Sequence, residues 1–207
     1  LLEPLSVAIW ATWKAGISVG DRVLVTGAGP IGLLVTAVAK AAGAVEVVVS
    51  DTQPARLARA EKMGATSVIS AGAQTGDGQG TTSPSSDALR PFGSIGADVL
   101  IECSGAGAAL EAGLHGLRGG ARAVVVGMSS QSHTPVPLSL LQRREIELTG
   151  TFRYANTYPT AISLASSGAV QLDQLVTGHY GLGQVAAALQ AGRHDPLAVK
   201  PVVLPGR

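Results

Sequence analysis

The sequence predicts a doubly wound α/β domain, a parallel sheet covered by helices on both faces, and three observations predict it. Short β-branched runs alternate with helix-like stretches of small and aliphatic residues along most of the 207-residue chain. Aromatic residues make up 3% of the chain while glycine contributes 27 residues, a composition suited to Val, Ala, Leu and Ile packed at close backbone approach. A glycine-rich turn, Gly27-Ala28-Gly29-Pro30-Ile31-Gly32, stands between the first such strand and the helix that follows it.

The elements follow in order. Leu1 to Gly16 reads as a helix already under way, with Leu5, Ala8, Ile9 and Trp13 on one face; because the first residue is Leu and not Met, the start reads as a cut. Arg22 to Thr26 is a strand and Ile31 to Ala42 a buried helix stopped by Gly43. Val45 to Ser50 is a second strand, and Pro54 opens a helix that reaches Met63 before Gly64. Thr66 to Ser70 is a third, weaker strand. Gly, Ser, Thr, Gln and Pro dominate the stretch from Ala71 to Ser94, most of which reads as a mobile loop.

The pattern then resumes. Ala97 to Glu102 is a strand, Ala106 to Leu117 a helix stopped by Gly119 and Gly120, and Ala121 to Gly127 a further strand. Pro135 and Pro137 break the next connection, Glu145 to Thr151 is a sixth strand, and Tyr158 to Ser167 a helix. Right-handed crossovers between such strands make a Rossmann-type sheet. The tail departs from it, with a helix from Gly183 to Ala191 and a strand from Ala198 to Leu204 that has no obvious place in that sheet. The expected organisation is a linking helix (1–16), a dinucleotide-binding domain (17–170) and a carboxy-terminal tail (171–207) that packs on a neighbouring catalytic domain.

Composition narrows the function classes. With 46% hydrophobic and 14% charged residues the chain is globular and not a disordered polymer. A net charge of +1 without basic blocks disfavours nucleic acid and acidic membrane surfaces as partners. Lys40 interrupts the longest apolar run well short of the roughly 18 residues a membrane span needs. The single cysteine, Cys103, precludes an intrachain disulfide and fits a cytoplasmic protein. Cys103 itself reads as a small buried filler at a strand end.

The chemistry begins at the glycine turn. Gly27 permits the tight bend, Gly29 lets backbone approach a pyrophosphate, and Gly32 lets helix and strand pack closely. Phosphate would then meet unpaired amides and the positive end of the helix dipole. Asp51 follows Gly32 by about 20 residues and ends the second strand, where a carboxylate can accept both hydroxyls of an adenosine ribose. Facing a 2′-phosphate, the same carboxylate would cost on the order of several kcal/mol, so NAD is expected over NADP. Two alternatives stay open: Asp51 as a turn or helix cap, and Arg56 as either a phosphate or adenine contact or an exposed surface residue.

With these residues in view, the chain resembles the zinc-type medium-chain alcohol dehydrogenases, and within them the sorbitol or polyol branch. The resemblance rests on Glu3-Pro4-Leu5-Ser6-Val7, the glycine turn, Asp51 with Arg56, Glu102-Cys103-Ser104-Gly105, and Gly150 through Pro159 (GTFRYANTYP), in that order. It implies an oxidoreductase that takes hydride from a polyol or secondary alcohol onto the nicotinamide of NAD, assisted by zinc. It further implies that Gly27, Gly29, Pro30, Ile31, Gly32, Asp51 and Arg56 hold the adenosine and pyrophosphate side. Ser104, Val126, Gly127, Met128, Thr151, Phe152 and Arg153 would complete the cofactor site toward the nicotinamide. Arg153 and Tyr154 would also reach substrate hydroxyls, and Glu3 would lie at the catalytic zinc or its water. Read without the family, Arg153 is a surface ion-pair partner, Tyr154 a packed aromatic with a wet tip, and Glu3 a helix-start carboxylate.

His115, His133, His179 and His194 show no metal-binding spacing. By the resemblance, a cysteine and a His-Glu pair that complete the zinc site come from an amino-terminal domain preceding Leu1. The expectation is therefore a cofactor-binding part that does not turn over polyol by itself, with a stand-alone dinucleotide-binding or interaction module as the alternative. Apolar surface on the first helix and the last strand is expected to favour self-association, which leaves a homo-oligomer open.

Overall fold

Val23, Val25, Val47, Val49, Val99 and Ile101 contribute to one hydrophobic core, and Leu24, Val48, Leu100 and Ala123 to a second. This alternation follows from strand geometry, in which successive side chains leave opposite faces, so near-continuous apolar runs bury both sides of a parallel sheet. The computed structural model describes residues 1–71, 91–195 and 197–206. Six strands make the main sheet: β1 (Arg22–Thr26), β2 (Glu46–Asp51), β3 (Ser67–Ser70), β4 (Ala97–Glu102), β5 (Leu117–Val125) and β6 (Glu147–Gly150). Their order is β3-β2-β1-β4-β5-β6, with every pairing parallel. The chain reverses its winding direction between β1 and β4, which leaves a crevice beyond their carboxyl ends.

Helices α1 (Leu2–Ala15), α2 (Pro30–Ala41), α3 (Pro54–Lys62) and α6 (Tyr158–Ser166) supply Leu5, Ile9, Leu33, Leu34, Ala60 and Ala161 to the first core. Helices α4 (Gly107–His115) and α5 (Leu138–Arg144) supply Leu110, Leu114 and Leu140 to the second. Emptying one of the fully buried leucine sites, Leu34→Ala for example, would cost about 2–5 kcal/mol. Gly16, in the left-handed region at φ +59°, ends α1, and Pro30 and Pro54 each occupy the first turn of their helices, where a missing N–H costs nothing.

The doubly wound parallel sheet is as the sequence predicts; several local expectations change. Trp13 is 51% exposed, and Thr12 takes the buried position instead, its hydroxyl donating to the Ala8 carbonyl. Because α1 is wedged against both α2 and α6, small residues (Ala8, Ala11, Thr12, Ala15) are needed where an indole would hold the helices apart. Gly119 and Gly120 do not stop α4, which closes at Gly116; they lie inside β5, where the register jumps from Ala97↔Leu117 to Val99↔Arg122. Such a bulge suits glycine, and Gly120 has φ +68°. Helix α5 follows directly on the break at Pro135 and Pro137, in a connection to which the sequence reading assigned no element.

The final strand does find a partner. A second, two-stranded parallel sheet pairs β7 (Val176–Tyr180) with β8 (Lys200–Val203), joined through α7 (Val185–His194). Its lead-in is fixed to the domain: Leu175 is buried in the first core, and Arg59 Nη1 donates to the Gln174 carbonyl at 2.8 Å. Most of the loop expected between Ala71 and Ser94 lies outside the described residues. Pro91 to Gly93 form a helical turn that buries Phe92 in the second core.

Candidate dinucleotide site

The three glycines of the turn meet three different demands. Gly27 has φ +92°, donates its N–H to the Ser50 carbonyl at 2.7 Å, and a Cβ on it would lie 2.8 Å from the Ser104 backbone. A Cβ on Gly32 would fall 1.8 Å from the Gly27 carbonyl oxygen, so helix and turn are in direct contact there. Gly29 is the opposite case: its backbone is extended (φ −72°, ψ −177°) and a Cβ on it would meet nothing within 4 Å. No side chain caps α2, and its first turn carries no acid, so the amide-rich end faces open space above Gly29. That arrangement suits an anion.

Asp51, at the end of β2, lies beside this turn and is 8% exposed. Its Oδ2 accepts the Ala28 N–H at 2.7 Å and its Oδ1 the Gln53 N–H at 2.8 Å. The carboxylate thus acts as a turn cap and as a strut to the glycine turn, and each oxygen keeps a lone pair for a further donor. Arg56, in the first turn of α3, places Nη1 4.0 Å from Asp51 Oδ2.

A third wall comes from β4 and β5. Glu102, at the end of β4, is 2% exposed, and its Oε1 accepts from Ser104 N at 2.7 Å, Gly105 N at 3.0 Å and the Ser104 hydroxyl. The Ser104 hydroxyl in turn accepts from Ala106 N at the head of α4. Both Val126 N and Gly127 N donate to the Glu102 carbonyl. A Cβ on Gly127 would fall 2.2 Å from Gly105 N, and one on Gly105 would fall 2.4 Å from the Met128 carbonyl. Gly27, Ser104, Gly105 and Gly127 therefore lie against one another, while the Met128 side chain is 82% exposed. Sequence reasoning gave Glu102 no part in this wall; the signal was a carboxylate that closes the apolar run Val99-Leu100-Ile101. Cys103, expected as a buried filler, is only partly buried against the first core, and desolvation, then the neighbouring Glu102 charge, push its thiol up.

The segment after β6 forms the fourth side. Thr151 N donates to the Val125 carbonyl, and the buried Thr151 Oγ1 has no hydrogen-bond partner. Phe152 is 72% exposed with the Arg153 guanidinium 5.5 Å from its ring centre, and Arg153 has φ +54°. Tyr154 and Tyr158 stack at a tilt, ring centres 5.5 Å apart. Two bonds dock α1 onto this segment: Thr157 Oγ1 to the Ser6 carbonyl at 3.1 Å and Lys14 Nζ to the Gly150 carbonyl at 2.8 Å. Glu3, exposed in the first turn of α1, is thereby brought near Tyr154. The Tyr154 hydroxyl pKa is raised, chiefly by hydrogen bonding with the Tyr158 phenol, with Glu3 adding to the shift and Arg153 opposing it.

The structure thus brings together Gly27, Ala28, Asp51, Ser104 and Gly127 on one crest, with Gly29, Pro30 and Ile31 at the head of α2, and leaves Glu3 and Arg153 within electrostatic reach of Tyr154. Among the described residues, no group of three His, Cys, Asp or Glu side chains converges to hold a metal ion. No helix among them is long and apolar enough to cross a membrane.

A family model described as zinc-binding dehydrogenase matches residues 30–167. Human (Homo sapiens) sorbitol dehydrogenase is 41% identical over 192 residues, a match that covers 92% of this chain and 51% of that protein. A protein from Escherichia coli CFT073, described as a short chain alcohol dehydrogenase and solved with the cofactor NADH, superposes with a TM-score of 0.82 at 26% identity, over 98% of this chain and 57% of that one. A zinc-binding dehydrogenase homologue from Sinorhizobium meliloti 1021, solved with NADP, gives a TM-score of 0.81 at 26% identity, over 99% and 58%. The chain spans about half the length of the curated relatives it matches.

Proposed function

The chain belongs to the zinc-binding dehydrogenase family, and on that premise we propose that it is the NAD-binding part of an oxidoreductase acting on a polyol or secondary alcohol. The observation that carries this reading is the Ala28–Asp51 hydrogen bond, which joins a candidate pyrophosphate turn to a candidate ribose anchor on one crest. The dinucleotide's nicotinamide would accept hydride from the carbinol carbon of the substrate. The head of α2 binds the pyrophosphate through its amides and dipole, with Gly29 leaving room for close approach. Asp51 accepts from the adenosine ribose hydroxyls, and its charge disfavours a 2′-phosphate, so NAD is the preferred cofactor. Arg56 lies at the same end and contacts the adenosine side.

Beyond the pyrophosphate, Ser104, Val126, Gly127, Met128 and Thr151 line the nicotinamide end, the free Thr151 hydroxyl supplying a donor. Phe152 and Arg153 follow on the same side. Arg153 and the Tyr154 hydroxyl hold substrate oxygens, the phenol being protonated near neutral pH even at its ordinary value of about 10. Glu3 stands beside Tyr154 as the chain's contribution near a catalytic metal. The described residues do not by themselves supply a zinc ligand set; zinc held beside Glu3 would serve as a Lewis acid that stabilises the substrate alkoxide. In this reading residues 1–16 are a linking helix, 17–170 the cofactor domain, and 171–207 a tail that packs on a catalytic domain.

Calorimetric titration of the 207-residue chain with NAD, NADP and S-adenosylmethionine tests the reading. Saturable binding of NAD, tighter than NADP, is expected. Binding of S-adenosylmethionine in preference to NAD, or of neither, overturns it. Mixed with zinc and sorbitol, the isolated chain is expected to reduce no NAD; turnover at a rate typical of dehydrogenases, about 1 per second or more, would refute the division of labour.

A further inference from the structure

Glu102 is the most deeply buried carboxylate described in the chain, and no role proposed above uses it. It ends β4, which neighbours β1 at the point where the sheet changes winding direction. Burying a carboxylate is costly unless donors compensate it, and here three donors converge on a single oxygen, Oε1. All three come from Ser104 and Gly105, so the charge serves to hold one turn. The Ser104 hydroxyl passes the restraint on to the Ala106 amide at the head of α4.

That turn is the spacer between two other loops. Ser104 lies against Gly27 so closely that even a methyl group on Gly27 would clash, and Gly105 lies in the same way against Gly127 and the Met128 carbonyl. Displacing Ser104 and Gly105 therefore changes the gap between the glycine turn and the end of β5. The adenosine anchor, Asp51 with Arg56, lies on the far side of β1 and is restrained through Ala28 and Gln53 instead.

We propose that Glu102 is a positioning residue for the half of the dinucleotide beyond the pyrophosphate: by fixing the Ser104–Gly105 turn, it sets the wall between Gly27 and Gly127 on which that half rests. This rests on the NAD-binding reading above. Glu102 touches no ligand itself; it acts through Ser104 and Gly105.

The test compares NAD with AMP, which carries only the adenosine half, on wild type and Glu102→Gln. The amide keeps the side-chain shape but replaces charge-assisted hydrogen bonds with neutral ones of roughly half the strength. NAD affinity is expected to fall about tenfold, equivalent to about 1.4 kcal/mol, while AMP affinity stays within about twofold. A general structural role would instead weaken both ligands in parallel with the melting temperature. Glu102→Asp, which keeps the charge but draws it back from the Ser104–Gly105 turn, is expected to act in the same direction and decides the matter if Glu102→Gln does not fold. Equal losses for NAD and AMP, or no loss for NAD, overturn the role of Glu102 while wild-type binding leaves the NAD reading intact. Wild type that binds AMP but not NAD, or neither, overturns both.

Discussion

Asp51 Oδ2 accepts the Ala28 amide proton at 2.7 Å, so the end of β2 and the middle of the glycine turn are one unit and not two neighbouring motifs. Ala28 is fully buried, and no solvent is on hand to replace the carboxylate. Asp51→Ala is expected to cost about 1–3 kcal/mol of stability, the penalty for leaving a buried amide unpaired. The same change should weaken NAD and narrow its advantage over NADP. Thermal melts with paired titrations check this; an unchanged melting temperature would show that the turn holds its shape without the carboxylate.

The glycines separate stability from binding. At Gly32 a methyl group would overlap the Gly27 carbonyl, so Gly32→Ala must push α2 away from the turn, at a cost of roughly 1–3 kcal/mol or more. At Gly29 the backbone is one alanine adopts and the space above is empty, so Gly29→Ala should change stability by less than about 0.5 kcal/mol. If pyrophosphate rests on that empty surface, Gly29→Ala nonetheless weakens NAD by about tenfold or more, because close approach is lost. Urea unfolding and calorimetry on both variants read the two quantities separately. Unchanged NAD affinity in Gly29→Ala would remove the pyrophosphate from this turn.

The difference between those two positions also shows what a sequence makes legible. Gly27, Gly29 and Gly32 are identifiable from spacing because each meets a backbone demand within a few residues of itself, and the six parallel strands follow from apolar runs broken by turns. Trp13 and Thr12 could not be assigned to inside and outside in this way, since the choice depends on how closely α2 and α6 approach α1. Gly119 and Gly120 carry the local signature of a helix stop, and only the pairing of β5 with β4 makes them a bulge. β7 contains Gly178 and His179 and lacks the apolar density of the central strands, so its pairing with β8 was hidden. Glu102 escaped because its donors, Ser104 and Gly105, are ordinary turn residues until the chain folds them onto one oxygen.

Asp98 offers a test at the opposite end of the sheet. Burial alone would raise its carboxyl pKa, but the Arg22 amide at 2.8 Å and the Arg118 guanidinium outweigh that and hold it below the usual aspartate value. A depressed folded-state pKa gives stability that is fully present above the unfolded value of about 3.9 and is lost as pH falls through the folded value. Asp98→Asn lacks this contribution at every pH. The melting-temperature gap between wild type and Asp98→Asn should therefore be widest near neutrality and close as the pH drops below about 4. A gap that stays constant into acid would mean that the carboxylate is not stabilised by its partners.

Tyr154 differs in that the controlling partner is another phenol. Its pKa is raised first by hydrogen bonding with Tyr158, then by desolvation, the Tyr158 charge and Glu3, with Arg153 pulling the other way. Tyr158→Phe removes the leading cause while keeping the tilted ring pair, so the Tyr154 phenol should ionise closer to the ordinary value of about 10. The chain has three tyrosines, so ultraviolet difference spectra of wild type, Tyr158→Phe and Tyr154→Phe suffice to assign the titrations. A Tyr154 titration that does not move downward in Tyr158→Phe would show that the two hydroxyls are not coupled. If it does move, the two hydroxyls are coupled, and a substrate oxygen at this site would meet the tyrosine pair and not a lone phenol.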